Sequence, residues 1–540
     1  MTSRETGQKR GESPSAPDRS AIQARYRDVR NVRQRICVQG VLELTSPCHV
    51  GGPDANSVSE QPLLKDSYGK PYLPGTTLAG MLRGVFRSAL DDGSGDVVMI
   101  RGEPEAVHDL FGHDPDTREG EGYPASLTVD DAPLRVDRIL TELREGVKLH
   151  PGTGIAEDKK LYDIELVSSG AQFELKLELE LPDDKVKPQQ RLKGLCLLLD
   201  ALESELLAIG KRTRRGYGAF RMAELDAGKR WKVSRYEIGS KEGMLSWLLR
   251  ERKGGGSSNP SGLEQDCADA AEVALFLNIE APKRLEDREK QPIRIDVRLG
   301  LAGSMLIRSP LHAGDGADQE HLQRPALRGG RVKHEAILSG TALAGALRQH
   351  CRRIAYALAG DPPTKAGDPS SRRTQLDTLI FGDPLNKKKG HASRVRVHES
   401  VIEGGRSLRH TRLRIDPWTG GALEGYLFTS DPWYGGHIKL RLDLAQQWPE
   451  HPELSGPALA LLLLALRDVA IGMVPVGGEG GTGRGWLETI PGQPFATVHR
   501  PGDPPISLML TQEGAVEISP RGGLDKALEG LRNWLKGKAT

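Results

Sequence analysis

Cysteine is sparse in this sequence: five residues in 540 (Cys37, Cys48, Cys196, Cys267 and Cys351), none in CxxC spacing. That scatter excludes a zinc knuckle and a disulfide framework, and it fits a reducing compartment. Long apolar runs are lacking too, since the longest, ALALLLLAL at 458–466, is far below the ~18 residues that span a bilayer. No charged-then-apolar signal segment opens the sequence, so a soluble, cytoplasmic protein with no membrane partner is expected. Net charge is nearly absent, with 75 Lys and Arg against 73 Asp and Glu. Affinity for a polyanion must then reside in local clusters. No GGDD sequence occurs, which argues against nucleotidyl-cyclase chemistry.

What is present is repetition. With 37% hydrophobic residues the chain can fill more than one core, because single cores stop growing near roughly 250–300 residues. LPGTTLAGMLR at 73–83 returns as LSGTALAGALR at 338–348. HVGG (His49) answers HAGD (His312), and LFGHD (Gly112) answers IFGDP (Gly382). HPGTG (Gly154) answers DPWTGG (Gly420), and RRGYGAF (Gly216) answers GTGRGWL (Gly483). Landmarks in one order at nearly constant separation predict a tandem duplication. The expected division is a disordered basic arm at 1–34, a first domain at 35–225, a linker or insertion at 226–290, a second domain at 291–491 and a C-terminal extension at 492–540. A Gly/Ser/Pro break, KGGGSSNPSG at 253–262, marks the boundary between the halves.

Within each copy the periodicities are legible. Leu78, Met81, Leu82, Val85, Phe86 and Ala89 make the stripe of an amphipathic helix, with Thr76 or Thr77 as its cap, and Leu343, Ala346, Leu347, Cys351 and Ile354 repeat the stripe. FELKLELEL alternates as a half-buried strand, and IKLRLDL at 438–444 is its counterpart. A second helix, a Gly-rich loop and a last strand follow in each. The predicted fold class is α+β, two tandem ferredoxin-like βαββαβ units.

The Gly-rich loop IGKRTRRGYGAF sets Lys211, Arg212, Arg214 and Arg215 beside Gly216 and Gly218, with Tyr217 between them. Glycines admit close backbone approach, and clustered cations with an aromatic suit phosphates and a stacked base. The bland alternative is a solvated basic turn. A nucleotide P-loop fails, because Glu205 and Arg212 stand where Gly and Ser or Thr are needed. The second loop keeps the glycines but only Arg484 of the cations. The two helix entrances offer free N–H groups, with Thr76, Thr77 and Arg83 in one copy and Thr341 and Arg348 in the other. Ordinary capped helices would explain most of that pattern. The isolated His108-Asp109 pair and the Lys387–Lys389 run are weak candidates.

HVGG, PGTTLAGMLR, LFG, the VKLHPGTG…LYD segment and RRGYG in this order resemble the RAMP superfamily, in particular the backbone subunits of type III CRISPR effector complexes of antiviral defence, over roughly 35–225 and 291–491. The resemblance implies two RNA-binding units gripping CRISPR guide RNA, target single-stranded RNA paired to it, and other effector subunits in a filament. It implies inserted β-hairpin thumbs within 134–170 and 400–430. It also implies a carboxylate after the first strand that cuts target RNA with a divalent metal, magnesium. Here the sequence departs from its relatives. Two residues before a Pro, where they carry Asp, stand Glu60 in the first copy and Gln323 in the second, leaving Asp54, Asp315 and Asp318 as reserves. The first copy is therefore expected to cut, and the second to be slow or to bind only. A binding-only subunit and a guide-processing endoribonuclease are the alternatives.

Overall fold

A computed structural model describes residues 32–52, 59–90, 99–100, 103–113, 124–135, 140–149, 156–183, 187–249, 263–282, 291–310, 317–328, 331–359, 372–382, 390–446, 448, 451–511 and 513–536. The expected disordered arm lies outside these except for its last three residues, which open the first strand. No described helix is long and apolar enough to cross a membrane.

In chain order the first copy contains β1 (Val32–Leu44), α1 (Gly75–Leu90), α2 (Glu105–Phe111), β2 (Leu127–Val129), β3 (Thr141–Leu149), β4 (Ala156–Val167), β5 (Gln172–Pro182), α3 (Lys187–Glu203) and β6 (Phe220–Ala223). It continues with β7 (Trp231–Glu237), α4 (Lys241–Leu249), β8 (Leu263–Cys267) and α5 (Ala270–Phe276). The second contains β9 (Ile293–Leu301), β10 (Gln323–Arg328), β11 (Arg331–Leu338), α6 (Gly340–Ala359), α7 (Arg372–Phe381), β12 (Val395–Val397), β13 (Ser400–Glu403), β14 (His410–Ile415), β15 (Ala422–Asp431), β16 (His437–Leu444), α8 (Ser455–Ala470) and β17 (Leu487–Thr489). It closes with β18 (Ala496–His499), β19 (Ile506–Leu510), β20 (Val516–Ser519) and α9 (Asp525–Leu535).

The central strand of each sheet is the first of its copy. β1 lies between β5 and the pair β6 and β7, and β2 borders β5. β9 lies between β16 and the pair β17 and β18, and β12 borders β16. Alternation does what it predicts in β5: Phe173, Leu175, Leu177, Leu179 and Leu181 are all 2% exposed or less. Each contributes about 1.5–3 kcal/mol on burial. Leu78, Leu82 and Phe86 of α1 and Leu343, Leu347 and Cys351 of α6 enter the two separate cores. Two hairpins, β3–β4 and β14–β15, project from the sheets.

The structure refines one expectation and corrects two. Of the linker or insertion expected at 226–290, the described part is structured, because β7 and β8 extend the first sheet just as β18 and β19 extend the second. Neither Thr76 nor Thr77 caps α1: the helix starts at Gly75, the N–H groups of Thr77 and Leu78 donate to the Pro74 carbonyl, and the Gly75 N–H donates to Asp131 Oδ1 (2.7 Å). Both threonines thus sit inside the first turn. His312 lies outside the described residues, and the residue matching His49 is Leu306. Gly218 N–H donates to the Pro47 carbonyl and Lys211 N–H to that of His49, while Gly485 N–H donates to that of Ser304 and Gly478 N–H to that of Leu306.

The two copies meet head to tail. Arg144 of β3 pairs with Glu399, whose side chain is fully buried, and Arg324 of β10 holds the same carboxylate at 3.0 Å. Arg324 also donates to the Thr45 carbonyl of the first copy (3.4 Å) and pairs with Glu335 (3.0 Å). Glu142 adds a second acid beside Arg144 at 3.2 Å, and burial pushes its carboxyl up to about 7.

Candidate nucleic-acid interface

The repeated helix entrance has a steric reason. A Cβ on Gly75 would lie 2.2 Å from the Val129 carbonyl oxygen, and one on Gly340 would lie 2.5 Å from that of Val397. Only glycine lets the helix start against the neighbouring strand. Gly80 and Gly345, one turn further on, face open space.

The two Gly-rich loops share one backbone. Each forms a short 3-10 turn, Thr213–Arg215 and Gly480–Thr482, entered through a left-handed residue, Arg212 (φ 60°) or Glu479 (φ 58°). Each leaves through a left-handed glycine, Gly216 (φ 93°) or Gly483 (φ 87°). Gly218 and Gly485 then press against the carbonyls of Ile209 and Val476. This geometry turns the residue between the glycines inward.

Tyr217 is accordingly 3% exposed, packed with Ile164 and Leu166 beneath Arg144, and is not the stacking platform expected of it. Arg484, its counterpart, is 2% exposed, bonded to Ser430 Oγ and paired with Glu479, which Arg412 also holds. It is not presented to a ligand.

The loop cations of the first copy diverge. Lys211 is exposed beside Gly51, where a Cβ would come within 2.7 Å of its Nζ. Arg212 lies 4.2 Å from the Tyr162 ring centroid on the β3–β4 hairpin. Arg214 and Arg215 are exposed and lie against the second copy: a Cβ on Gly340 would be 2.6 Å from the Arg215 carbonyl oxygen, and one on Gly216 would be 2.8 Å from the Glu399 nitrogen.

Between this loop and the start of α1 runs a groove of about 460 Å³, lined by His49, Gly51, Thr77, Met81, Lys211 and Thr213 among others. Thr77 and Lys211, proposed from sequence, meet there. Thr76 is exposed nearby in the same turn, and Arg83 is half-buried two turns along. His49, used above only as a repeat landmark, is fully buried at the groove floor. Its Nδ1 donates to the Glu165 carbonyl at 2.8 Å, which leaves Nε2 an acceptor with no partner among the described residues. Burial, then Lys211 and Arg212, hold its pKa below the ordinary value, so the ring stays neutral. At the second entrance Thr341 bonds Ser339, which caps α6, and Arg348 is engaged with Asp377 (3.5 Å) and the Gly382 carbonyl (3.1 Å).

Asp54, Asp315 and the Lys387–Lys389 run lie outside the described residues. Asp109 of the His108-Asp109 pair clamps Arg191 with both oxygens, a structural bond. The proline-based pairing of Glu60 with Gln323 is overturned by hydrogen bonds. Gly52 N–H donates to the Pro62 carbonyl and Leu64 N–H to that of Val50; Ser309 N–H donates to the Glu320 carbonyl and Leu322 N–H to that of Ile307. On that framework Glu60 corresponds to Asp318, while Gln323 begins β10. Both acids are exposed, each beside its hairpin: the Glu60 N–H donates to Asp163 Oδ1 (2.6 Å), and Asp318 Oδ2 accepts from the Thr429 N–H (2.8 Å). Among the described residues no three His, Cys, Asp or Glu side chains converge to hold a metal ion. These residues therefore do not form a protein-only metal cage.

Comparison with known proteins agrees with this duplication. The model of the RAMP superfamily matches residues 41–221 and again 306–488. A curated relative, the CRISPR system Cms endoribonuclease Csm3 of Methanocaldococcus jannaschii, is 22% identical over 209 residues, 36% of this chain and 81% of its own length. With two matched regions that together span more than half of its length, the chain belongs to the RAMP superfamily.

Proposed function

We propose that this chain is a backbone subunit of a type III CRISPR effector complex, which grips guide RNA along the loop shared by its two copies and holds target RNA near Glu60 and Asp318. The observation that carries this reading is the divergence of four cations from one loop: Lys211 and Arg212 into the first copy, Arg214 and Arg215 onto the second. A polyanion laid along that loop meets the start of α1 and then the start of α6, both positive helix ends. The ribose 2′-hydroxyl, which DNA lacks, gives such a groove a group by which to prefer RNA. The strand order around β1 and β9 supports two ferredoxin-like units, with the β3–β4 and β14–β15 hairpins as thumbs. The relative's description as an endoribonuclease, with matched acids in both copies, favours cutting over binding alone. It also favours cutting by both copies. A divalent metal, if used, would need ligands from RNA, water or the residues not described.

The test is a titration of fluorescent single-stranded RNA over a salt series, with single-stranded DNA of equal length beside it. The logarithm of affinity should fall against the logarithm of salt by about 0.7 per phosphate contact, and RNA should bind more tightly than DNA. A salt-independent affinity defeats the reading.

A further inference from the structure

At the seam between the copies, on the opposite side of the second sheet from its helices, positive charge is left uncompensated. In the ladder of β12 on β16, Arg396 stands opposite Asp443, while Val395, Val397, Leu442 and Leu444 turn to the core. Asp443 is occupied twice, by His398 Nε2 at 2.6 Å and by Arg441 Nε at 3.0 Å. Arg394 flanks the strand, its guanidinium 6.0 Å from the Trp448 ring, with no ion pair among the described residues. Arg214 arrives from the first copy, because Gly216 is pressed on Val397 and Glu399. Arg396 spends one nitrogen on the Leu206 carbonyl of the first copy (2.7 Å). It is 9% exposed, and its Nε is buried without a partner among the described residues.

The guanidiniums of Arg441, Arg396 and Arg214 therefore share one carboxylate, and Arg394 stands beside Arg214. The electrostatics register the crowding. Burial and then Arg214 push Arg396 down to about 10, and Arg214, which keeps solvent-exposed surface while the two copies crowd around it, is itself lowered by partial desolvation and then by Arg394. Burial also lowers His398, so at neutral pH it adds no second positive partner to the carboxylate. A desolvated donor and clustered cations are stabilised by an anion with several acceptor oxygens, and guanidinium forks match phosphate geometry.

Deepening the RNA-binding reading and resting on it, we propose that Arg214, Arg394, Arg396 and Arg441 form a subsite for one phosphodiester of the guide RNA, where the strand passes from the first copy to the second. The subsite would set the phase between the stretches held by the two copies, because its cations come from both.

The experiment measures salt-dependent binding of single-stranded RNA to the full chain as wild type and as Lys211→Gln, Arg394→Gln and Arg396→Gln. Among the described residues Arg394 makes no hydrogen bond or ion pair across the seam, so Arg394→Gln guards against a folding defect in Arg396→Gln. Each subsite variant should reduce the salt slope by about 0.7, one phosphate contact. RNA carrying a single methylphosphonate should show the same reduction at one linkage, with no further loss in Arg394→Gln. If wild type fails to bind RNA, the underlying reading falls. If wild type binds and Lys211→Gln lowers the slope while Arg394→Gln and Arg396→Gln do not, the subsite alone is refuted. Protection of the folded chain by inorganic phosphate, with RNA slopes unchanged in those variants, likewise overturns it in favour of a free-anion site.

Discussion

The two Gly-rich loops have one backbone and opposite chemistry. Where the first enters its turn through Arg212, the second enters through Glu479, and where the first carries Arg214 and Arg215, the second carries Gly481 and Thr482. The first loop has a neighbour to hold, since the second copy lies against it. The second closes on itself, Glu479 binding Arg412 and Arg484. Duplication thus preserved what the main chain needs, left-handed turns and close carbonyls, while side chains followed what each loop touches.

Four changes test how far this asymmetry goes. The largest effect is expected at the joint, where Glu399→Ala removes the acid shared by two buried guanidiniums, leaving Arg144 with Glu142 alone and Arg324 with Glu335 alone. Breaking such a pair costs about 3–5 kcal/mol, whereas Asp131→Ala, which only removes a bond to the first helix start, should cost about 1 kcal/mol. Chemical denaturation followed by tryptophan fluorescence reads both, and equal losses would mean that the joint is not what Glu399 holds.

Next comes the loop chemistry itself. Replacing Lys211, Arg212, Arg214 and Arg215 together with Gln should lower the salt slope of RNA binding by about three, at 0.7 per contact. Arg484→Gln should leave the slope untouched and lower the melting temperature instead. A slope change in Arg484→Gln would show that the second loop opens to RNA.

The acids provide a more even comparison. In the assembled complex, Glu60→Gln and Asp318→Asn should each abolish a different target-RNA cleavage product, slowing it by about 10²-fold, the lower range for a lost acid–base group. Intact product patterns in both variants would leave a binding-only subunit. The smallest effect should be favourable: Gly80→Ala and Gly345→Ala place a methyl in open space on a helix and should stabilise by about 0.5–1 kcal/mol each. Calorimetry that shows loss in only one copy would reveal a contact peculiar to that helix.

Much of this was legible because glycine records backbone constraints. Gly75, Gly216, Gly340 and Gly483 recur where a Cβ or a right-handed φ is excluded, so the repeat could be read without structure. Side-chain direction was not legible. Tyr217 and Arg484 looked like ligand residues because they sit among cations and glycines, yet the flanking left-handed turns send them inward. The Gly-x-Gly spacing itself was the available signal. Proline proved a poor ruler for acids: Pro62 and Pro325 lie at different places on the framework, and only carbonyl partners align Glu60 with Asp318. The burial of His49 was invisible because the second copy carries Leu306 there.

The head-to-tail joint has a consequence for valence. A heterologous contact uses different faces on its two members, so the first copy keeps an unused helix start and the second an unused loop. Another molecule of this chain, brought up in the same way, would present Gly481 and Thr482 where Arg214 and Arg215 meet the second copy, with Asp131 in place of Glu399. A second joint of the same kind would therefore need side chains other than those that make the first.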